Sequence, residues 1–360
     1  MGTATLRCEY IWLDGGETPQ LRSKTRVITV NSEDENWQLN LSDFPVWGFD
    51  GSSTGQATTV NSDCVLRPVF ACVDSNRPSG VLILCDVLNT DLTPHESNYR
   101  ARLIDAMLKH GDSLPAVGFE QEYFLWREGR PLGWPAGTTD PEAQGPYYCA
   151  VGEGKVAGRD VAEVHLSSCI NSGLSIVGIN AEVALGQWEY QVGGPNINAV
   201  AACDHLWLTR FLLHRVAESQ RVEVTLDPKP VSGDWNGSGL HTNFSTLQMR
   251  AEGGVEHIVA ACETLSETAN VDRAKATYGE GLDRRLTGKH ETCDISEFRY
   301  GVSDRGASIR IPWLVDRQGR GYFEDRRPNS NADPYRVVTT LVEAVCPVNE
   351  VKAEETNEGG

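Results

Sequence analysis

Residues 118–124 read Gly-Phe-Glu-Gln-Glu-Tyr-Phe. Alternating polar and aromatic side chains mark a β-strand, in which residues two apart share a face. Glu120 and Glu122 therefore stand together, while Phe119, Gln121 and Tyr123 point to the other side. Three more stretches repeat the pattern. In Gln187-Trp-Glu-Tyr-Gln, Glu189 lies between Gln187 and Gln191; in His241-Thr-Asn-Phe-Ser, one face carries His241, Asn243 and Ser245. In Tyr322-Phe-Glu-Asp-Arg it carries Tyr322, Glu324 and Arg326. Any one of these alone describes an antiparallel sheet with one wet face. Four together, rich in carboxylates and holding one histidine, imply more. Neighbouring carboxylates repel unless a cation lies between them or one is protonated. Such a donor set suits a hard divalent cation such as Mg2+ or Mn2+.

Arginines supply the complement late in the chain: Arg284-Arg285, Arg305, Arg310 and Arg326-Arg327. Paired arginines are ordinarily surface charge. Arg305 and Arg310, however, flank the short run Gly-Ala-Ser-Ile and precede Ile311-Pro312. Guanidinium groups beside a metal-carboxylate sheet can bind phosphate bidentately. The chain has no G-x-x-x-x-G-K-[ST] loop, so phosphate binding falls to arginine and metal. The residues alone thus point to metal-dependent phosphoryl transfer and leave the substrate open.

Composition bounds the remaining classes. The 360 residues can form two domains, and 40% apolar with 23% charged residues is an ordinary globular balance. A formal net charge of −18 argues against nucleic acid as a partner. The ten cysteines include no C-x-x-C pair, which removes zinc-ribbon and thioredoxin readings and fits a reducing compartment. The start, MGTATLRCEYIWLDG, has no basic-then-apolar signal pattern, and Leu6 breaks a myristoylation motif. No apolar run approaches the roughly 18 residues that span a bilayer. A cytoplasmic protein without membrane contact is expected.

Up to about residue 90 the texture is strands and turns: Cys8–Leu13, Lys24–Val30 and Val81–Val87 are apolar and rich in β-branched residues. A helix follows Thr93-Pro94 over Glu96–His110, and further helical patterns lie near Arg159–Ser172, Asp204–Ser219 and Glu256–Glu267. The boundary is set at 88–95, giving domains over 1–92 and 93–348. The Gly- and Pro-rich segment Arg127–Gly154 is expected to lie over the surface or a site. Residues 349–360, acidic and ending Gly-Gly, read as a frayed tail.

Several longer motifs resemble glutamine synthetase. They are Phe49-Asp-Gly-Ser-Ser-Thr-Gly-Gln-Ala, Gly118-Phe-Glu-Gln-Glu-Tyr, Asn180-Ala-Glu-Val and Asp234-Trp-Asn-Gly-Ser-Gly-Leu-His-Thr-Asn-Phe-Ser. Arg284-Arg-Leu-Thr-Gly-Lys-His-Glu-Thr, Asp304-Arg-Gly-Ala-Ser-Ile-Arg-Ile-Pro and Gly321-Tyr-Phe-Glu-Asp-Arg-Arg-Pro complete the set. They run from about residue 8 to residue 345 in family order, and the compact length resembles the type II form.

The resemblance implies an α+β fold: a small N-terminal β-grasp domain, then a catalytic domain with a curved antiparallel sheet flanked by helices. It implies ATP-dependent ligation of ammonia to L-glutamate through γ-glutamyl phosphate, giving glutamine, ADP and phosphate. Two or three Mg2+ or Mn2+ ions per site would be held by residues matching the family's ligands, Glu120, Glu122, Glu182, Glu189, His241 and Glu324. Asn236, Gly237, Arg285 and Arg326 match the glutamate site. Arg305 and Arg310 match arginines facing the phosphates, and Asn243, Ser245 and Tyr322 match the nucleotide site. Asp50 and Glu291 match the groups that take the proton from ammonium, Glu291 on a closing loop and Asp50 from a neighbouring subunit. Asp63 is a second ammonium-site candidate. Two stacked pentameric rings, a homodecamer with sites between subunits, are implied as well.

The chain departs from the animal and plant pattern at Lys289, Asp304, Trp313 and Ala116; the last leaves the packing of adenine open. The family's acidic, aromatic C-terminal ending is absent, as is the tyrosine loop adenylylated in type I enzymes. A ligase using another amine and a catalytically silent ring protein are the competing readings. Counterparts of Asp50 and Glu291 favour ammonia, and the full ligand set speaks against a silent relative.

Overall fold

Two sheets organise the chain, in a computed structural model that describes residues 3–31, 39–135, 137 and 140–349. The first holds β1 (Thr3–Leu13), β2 (Leu21–Asn31), β3 (Trp47–Asp50), β4 (Asp63–Asp74) and β5 (Gly80–Leu88), in the order β2-β1-β5-β4-β3. β1 and β5 run parallel and the other neighbours antiparallel. β5 reads Gly-Val-Leu-Ile-Leu-Cys-Asp-Val-Leu and is buried throughout, as a central strand covered on both faces must be. Val81, Ile83 and Val87 pack with Tyr10, Trp12 and Leu66 on one side. Leu82 and Leu84, on the other, join Ile11 against Leu208, Phe211 and Leu212 of the helix Ala199–Ser219. That second layer docks the N-terminal sheet on the rest of the molecule.

The larger sheet contains β6 (Ala116–Arg127), β7 (Arg130–Pro131), β8 (Ile176–Ala181), β9 (Gln187–Gly194), β10 (Glu223–Thr225) and β11 (Leu240–Ser245). It is completed by β12 (Tyr300–Val302), β13 (Ile309–Ile311) and β14 (Phe323–Asp325). The order is β12-β13-β14-β11-β6-β9-β8, with β7 and β10 added on the far half of β6. Neighbours are antiparallel except β12 and β13. The expected α+β architecture, a β-grasp sheet followed by a helix-flanked curled sheet, is found.

Boundaries moved where a cap or an all-apolar face decides them. The first helix spans Tyr99–His110 and starts after Asn98, whose side chain accepts from the Ala101 N–H at 3.0 Å. The helix expected from Asp204 begins at Ala199, capped by Asn198. Its first turn, Ala-Val-Ala-Ala, is apolar on all sides, so no amphipathic period announces it. Helices Thr268–Thr277 and Pro334–Val345 had no place in the sequence reading. Asn349 is bound at the end of the first helix: its N–H donates to the Lys109 carbonyl and its Nδ2 to that of Leu108 (2.6 and 2.7 Å). The rest of the expected frayed tail lies outside the described residues.

Candidate active site

The register of three central strands gathers the carboxylates. Glu122 on β6 faces Glu189 on β9, and Glu120 faces His241 on β11. Ligand atoms of Glu120, Glu189 and His241 lie within 4.8 Å of one another, and so do those of Glu122, Glu182 and Glu189. Glu189 belongs to both groups. Alternation holds: Phe119, Tyr123, Trp188 and Tyr190 on the reverse faces are fully buried in the main core.

Each carboxylate is oriented from behind. Asn180 Nδ2 and the Val183 N–H donate to Glu182 (2.9 and 3.1 Å), Asn243 Nδ2 donates to Glu120 (2.9 Å), and the Gly239 N–H to Glu122 (2.5 Å). Gln191 donates to Glu189. Burial, then the charge of Glu122, pushes the Glu182 carboxyl up to about 8. Burial, then Glu120, Glu122 and Glu182, pushes Glu189 up to about 10. Burial, reinforced by the Arg326 charge, lowers His241 to about 4, so its imidazole is neutral at physiological pH. Crowded oxygen donors that resist ionisation without a counter-charge, together with a neutral imidazole, fit a hard divalent cation.

The sixth expected ligand, Glu324 on β14, stands at the edge of the cluster. Its oxygens take Arg310 Nη1 at 2.6 Å and Arg326 Nη1 at 2.5 Å, and His241 Nδ1 is 3.7 Å away. It thus lies outside both cation-sized groups. Arg305, half exposed, has its Nη1 3.9 Å from Glu291, and the Arg326 Nη2 is equally far from the same carboxylate oxygen. His290 and Glu291 both adopt left-handed backbone (φ 54° and 62°), a conformation costing about 1–2 kcal/mol per non-glycine residue. The Thr292 hydroxyl, donating to Lys289 and Arg285 carbonyls, helps to hold that turn.

Asn236 accepts from Gln144 Nε2 (2.9 Å) and faces the His290 carbonyl, while the Gly237 carbonyl accepts from Gln187. A Cβ on Gly237 would sit 2.2 Å from the Pro228 carbonyl oxygen, so only glycine fits. Arg285 is placed behind the site. Its guanidinium donates to the Arg326, Arg327 and Pro328 carbonyls and lies 3.2 Å from His241 Nε2, and it is buried among them. It braces the histidine and the Arg326 segment.

Asn243, Ser245 and Tyr322 line a cavity of about 420 Å³ that also takes in Ala116, Val192 and Arg250. Arg250 donates to the Ser245 hydroxyl (2.8 Å) and to the Leu114 carbonyl (2.7 Å). Asp50 and Asp63 pair across β3 and β4 in the N-terminal sheet. Ser52 and Ser53 donate to Asp50 and hold its carboxyl below the ordinary range. Among the described residues, no hydrogen bond or ion pair links either aspartate to the carboxylate cluster.

Sequence reasoning missed Tyr148, Gln144 and Arg250. Tyr148 sits near the Glu182 and Arg305 charges; burial and Glu182 raise its phenol above the ordinary value. It and Gln144 come from the Gly- and Pro-rich segment Arg127–Gly154, expected to lie over the surface or a site, whose irregular backbone gives no period to read. The Cys149 N–H, donating to the Ala181 carbonyl, ties that loop beside Glu182.

Raised carboxylate pKa values make a stability prediction. Folding disfavours the ionised forms of Glu182 and Glu189, so the folded chain binds more protons than the unfolded one between their ordinary range and about 10. Without divalent cation, melting temperature should fall as pH rises from 6 to 9. Saturating Mg2+ or Mn2+ should offset the loss, by about 2.7 kcal/mol at a hundredfold excess over Kd. Thermal unfolding with and without chelator checks both; a cation-free melting temperature that rises over this range contradicts the electrostatics.

Comparison with known proteins identifies the family. Residues 6–90 match the model of the glutamine synthetase beta-Grasp domain and residues 98–270 that of the glutamine synthetase catalytic domain. The glutamine synthetase of Streptomyces viridochromogenes is 52% identical, over 95% of this chain and 97% of that protein. That of Streptomyces hygroscopicus is 48% identical (over 95% and 97%), and that of the fungus Neurospora crassa 50% (over 94% and 91%). These relatives also cover the arginine-bearing segments beyond residue 270, and with both domains matched in order the chain belongs to the glutamine synthetase family, the glutamate–ammonia ligases.

Proposed function

We propose that this ligase joins ammonia to glutamate at the carboxylate cluster, with two or three Mg2+ or Mn2+ ions held by Glu120, Glu122, Glu182, Glu189 and His241, and Glu324 completing the set. The observation that carries this reading is Glu189, shared by two groups each of a size to hold a cation. Bound there, the ions neutralise the anionic substrates and stabilise charge on the transferred phosphoryl.

The chain's own groups do the rest. The cavity beside Asn243, Ser245 and Tyr322 takes the nucleotide. Asn236, Gly237 and Arg326 orient glutamate, with Arg285 acting from behind. Arg305, whose side chain is the more exposed of the arginine pairs at Glu291, reaches the phosphates with Arg310 and stabilises phosphoryl transfer to the γ-carboxylate. That transfer turns a poor electrophile into an acyl phosphate. The Gly288–Thr292 turn closes over the acyl phosphate and keeps water away. Asp50, kept ionised by its serine donors, and Asp63 hold ammonium; its proton passes to Asp50 or Glu291, and the nitrogen then attacks the acyl carbon as the C–O bond to phosphate breaks and phosphate leaves.

The absence, among the described residues, of any hydrogen bond or ion pair between Asp50 and the cluster supports a site shared between subunits, in a type II homodecamer of two pentameric rings. We place the domain boundary at 92/93, between the two family matches. A cytoplasmic location is supported by ten unpaired cysteines, nine of them buried. No helix among the described residues is long and apolar enough to cross a membrane.

Sharing can be tested by co-expressing Asp50→Asn with Glu189→Gln chains. Each alone should be inactive. In random mixed rings, one interface in four would combine an intact Asp50 with an intact Glu189, restoring about a quarter of wild-type activity. Mixed rings that assemble yet stay inactive would place Asp50 in its own subunit's chemistry or outside it.

A further inference from the structure

Arg210 is a buried charge that, among the described residues, has no carboxylate within 4.0 Å. Only 1% of it is exposed, and burial lowers its guanidinium to about 10 against the opposing, more distant charge of Asp333. An unpaired cation in such a place is costly unless its hydrogen bonds serve a purpose. They reach two segments, the strand that carries Glu120 and Glu122 and the chain that follows Arg326. Nε donates to Gln121 Oε1 at 2.8 Å, Nη2 to the Ser330 carbonyl and Nη1 to the Ala332 carbonyl, both at 3.0 Å.

Gln121 is the residue between Glu120 and Glu122, pointing to the opposite face of β6 and completely buried. Its own Nε2 donates to the Glu122 carbonyl (2.8 Å) and to the Ser330 carbonyl (3.1 Å). The Ser330 N–H in turn donates to the Ser238 carbonyl, next to Gly237 and Gly239. Gly239 is the residue whose N–H holds Glu122. The planar fork therefore joins the strand of Glu120 and Glu122 directly to the segment leaving Arg326, and through Ser330 it reaches the loop of Asn236 to Gly239. The ring of Trp207, one turn earlier on the same helix, covers the guanidinium at 4.6 Å and limits its movement.

We propose that Arg210 is a positioning residue for the ligase reaction: acting through Gln121 and Ser330 from behind the sheet, it sets the spacing of Glu120 and Glu122 that a divalent cation requires. The proposal rests on the assignment of those glutamates as metal ligands. Lysine cannot make the three divergent bonds of the fork, although it preserves the charge. Outer groups that orient ligands are worth about ten- to a hundredfold in metal affinity or activity; the bonds of Arg210 lead to the strand of Glu120 and Glu122, so metal affinity is the quantity expected to change.

Mn2+ titration of the purified oligomer, followed by steady-state kinetics at saturating metal, tests this on wild type, Arg210→Lys and Gln121→Met. R210K and Q121M should each weaken Mn2+ binding about tenfold. At saturating metal their kcat should stay within about threefold of wild type. The double variant should be no weaker than R210K alone, because R210K already breaks the link to the strand that Q121M removes. If R210K fails to assemble, Q121M reads the same link from the strand side and leaves the guanidinium its two carbonyls. Unchanged Mn2+ affinity in an assembled variant, or a kcat loss that metal does not relieve, overturns the proposal. Failure of the wild-type chain to bind Mn2+ refutes instead the ligand assignment on which it rests.

Discussion

Glu189→Gln should reduce glutamine formation by at least about a thousandfold, equivalent to about 4 kcal/mol of transition-state stabilisation. Glu189 is the one side chain present in both cation-sized groups, so a neutral amide there removes a ligand from each. The substitution is nearly isosteric, and the amide oxygen can still accept from Gln191. Burial and three neighbouring carboxylates disfavour the ionised Glu189, so removing its charge should leave the cation-free fold as stable or more stable. The combination separates chemistry from folding: activity collapses, Mn2+ binding weakens, and the chelator-treated melting temperature holds or rises. Activity within tenfold of wild type would show that the cluster does not hold the catalytic ions.

Arg305→Ala carries the second largest expectation, a loss of about a hundred- to ten-thousandfold in kcat. Its environment differs from that of the other arginines. Arg310 and Arg326 are bound to Glu324, and Arg285 is buried among carbonyls. Arg305 is half exposed, and its one ion pair among the described residues is with Glu291, at 3.9 Å, a separation at which an exposed pair contributes about 0–1 kcal/mol to stability. Removing it should leave melting temperature and oligomer unchanged, with little effect on metal binding. Single-turnover formation of ADP in the presence of glutamate should slow as much as steady-state turnover does. A variant with normal kcat and raised KM for ATP would make Arg305 a binding group only.

The period of two was sufficient to find the carboxylate-lined face. It placed Glu120 with Glu122 and separated them from Phe119 and Tyr123, because a pleated strand leaves its side chains no other choice. The spacing also put His241, Asn243 and Ser245 on one face, although only register with β6 shows that His241 meets Glu120. What stayed hidden depends on contacts between distant segments. Nothing in Arg284-Arg285 says that the second guanidinium lies behind His241 while the first pairs with Asp227. Glu324 looks in sequence like its fellow carboxylates, yet two arginines hold it at the rim. Tyr148 and Gln144 lie on irregular backbone, and Arg210 sits in a helix whose apolar surroundings make a buried cation hard to foresee. The family motifs reached Glu182, Glu291 and Asp50, which no alternation would have selected.

One measurement bears on the whole assignment: glutamine, ADP and phosphate released by the purified protein from glutamate, ATP and Mg2+, with and without ammonium, beside Glu120→Ala and Arg305→Ala. The site described here predicts equal amounts of the three products, formed only when ammonium is present, and near-complete loss in both variants with the oligomer intact. Undiminished glutamine formation in either variant, or turnover indifferent to ammonium, would contradict it.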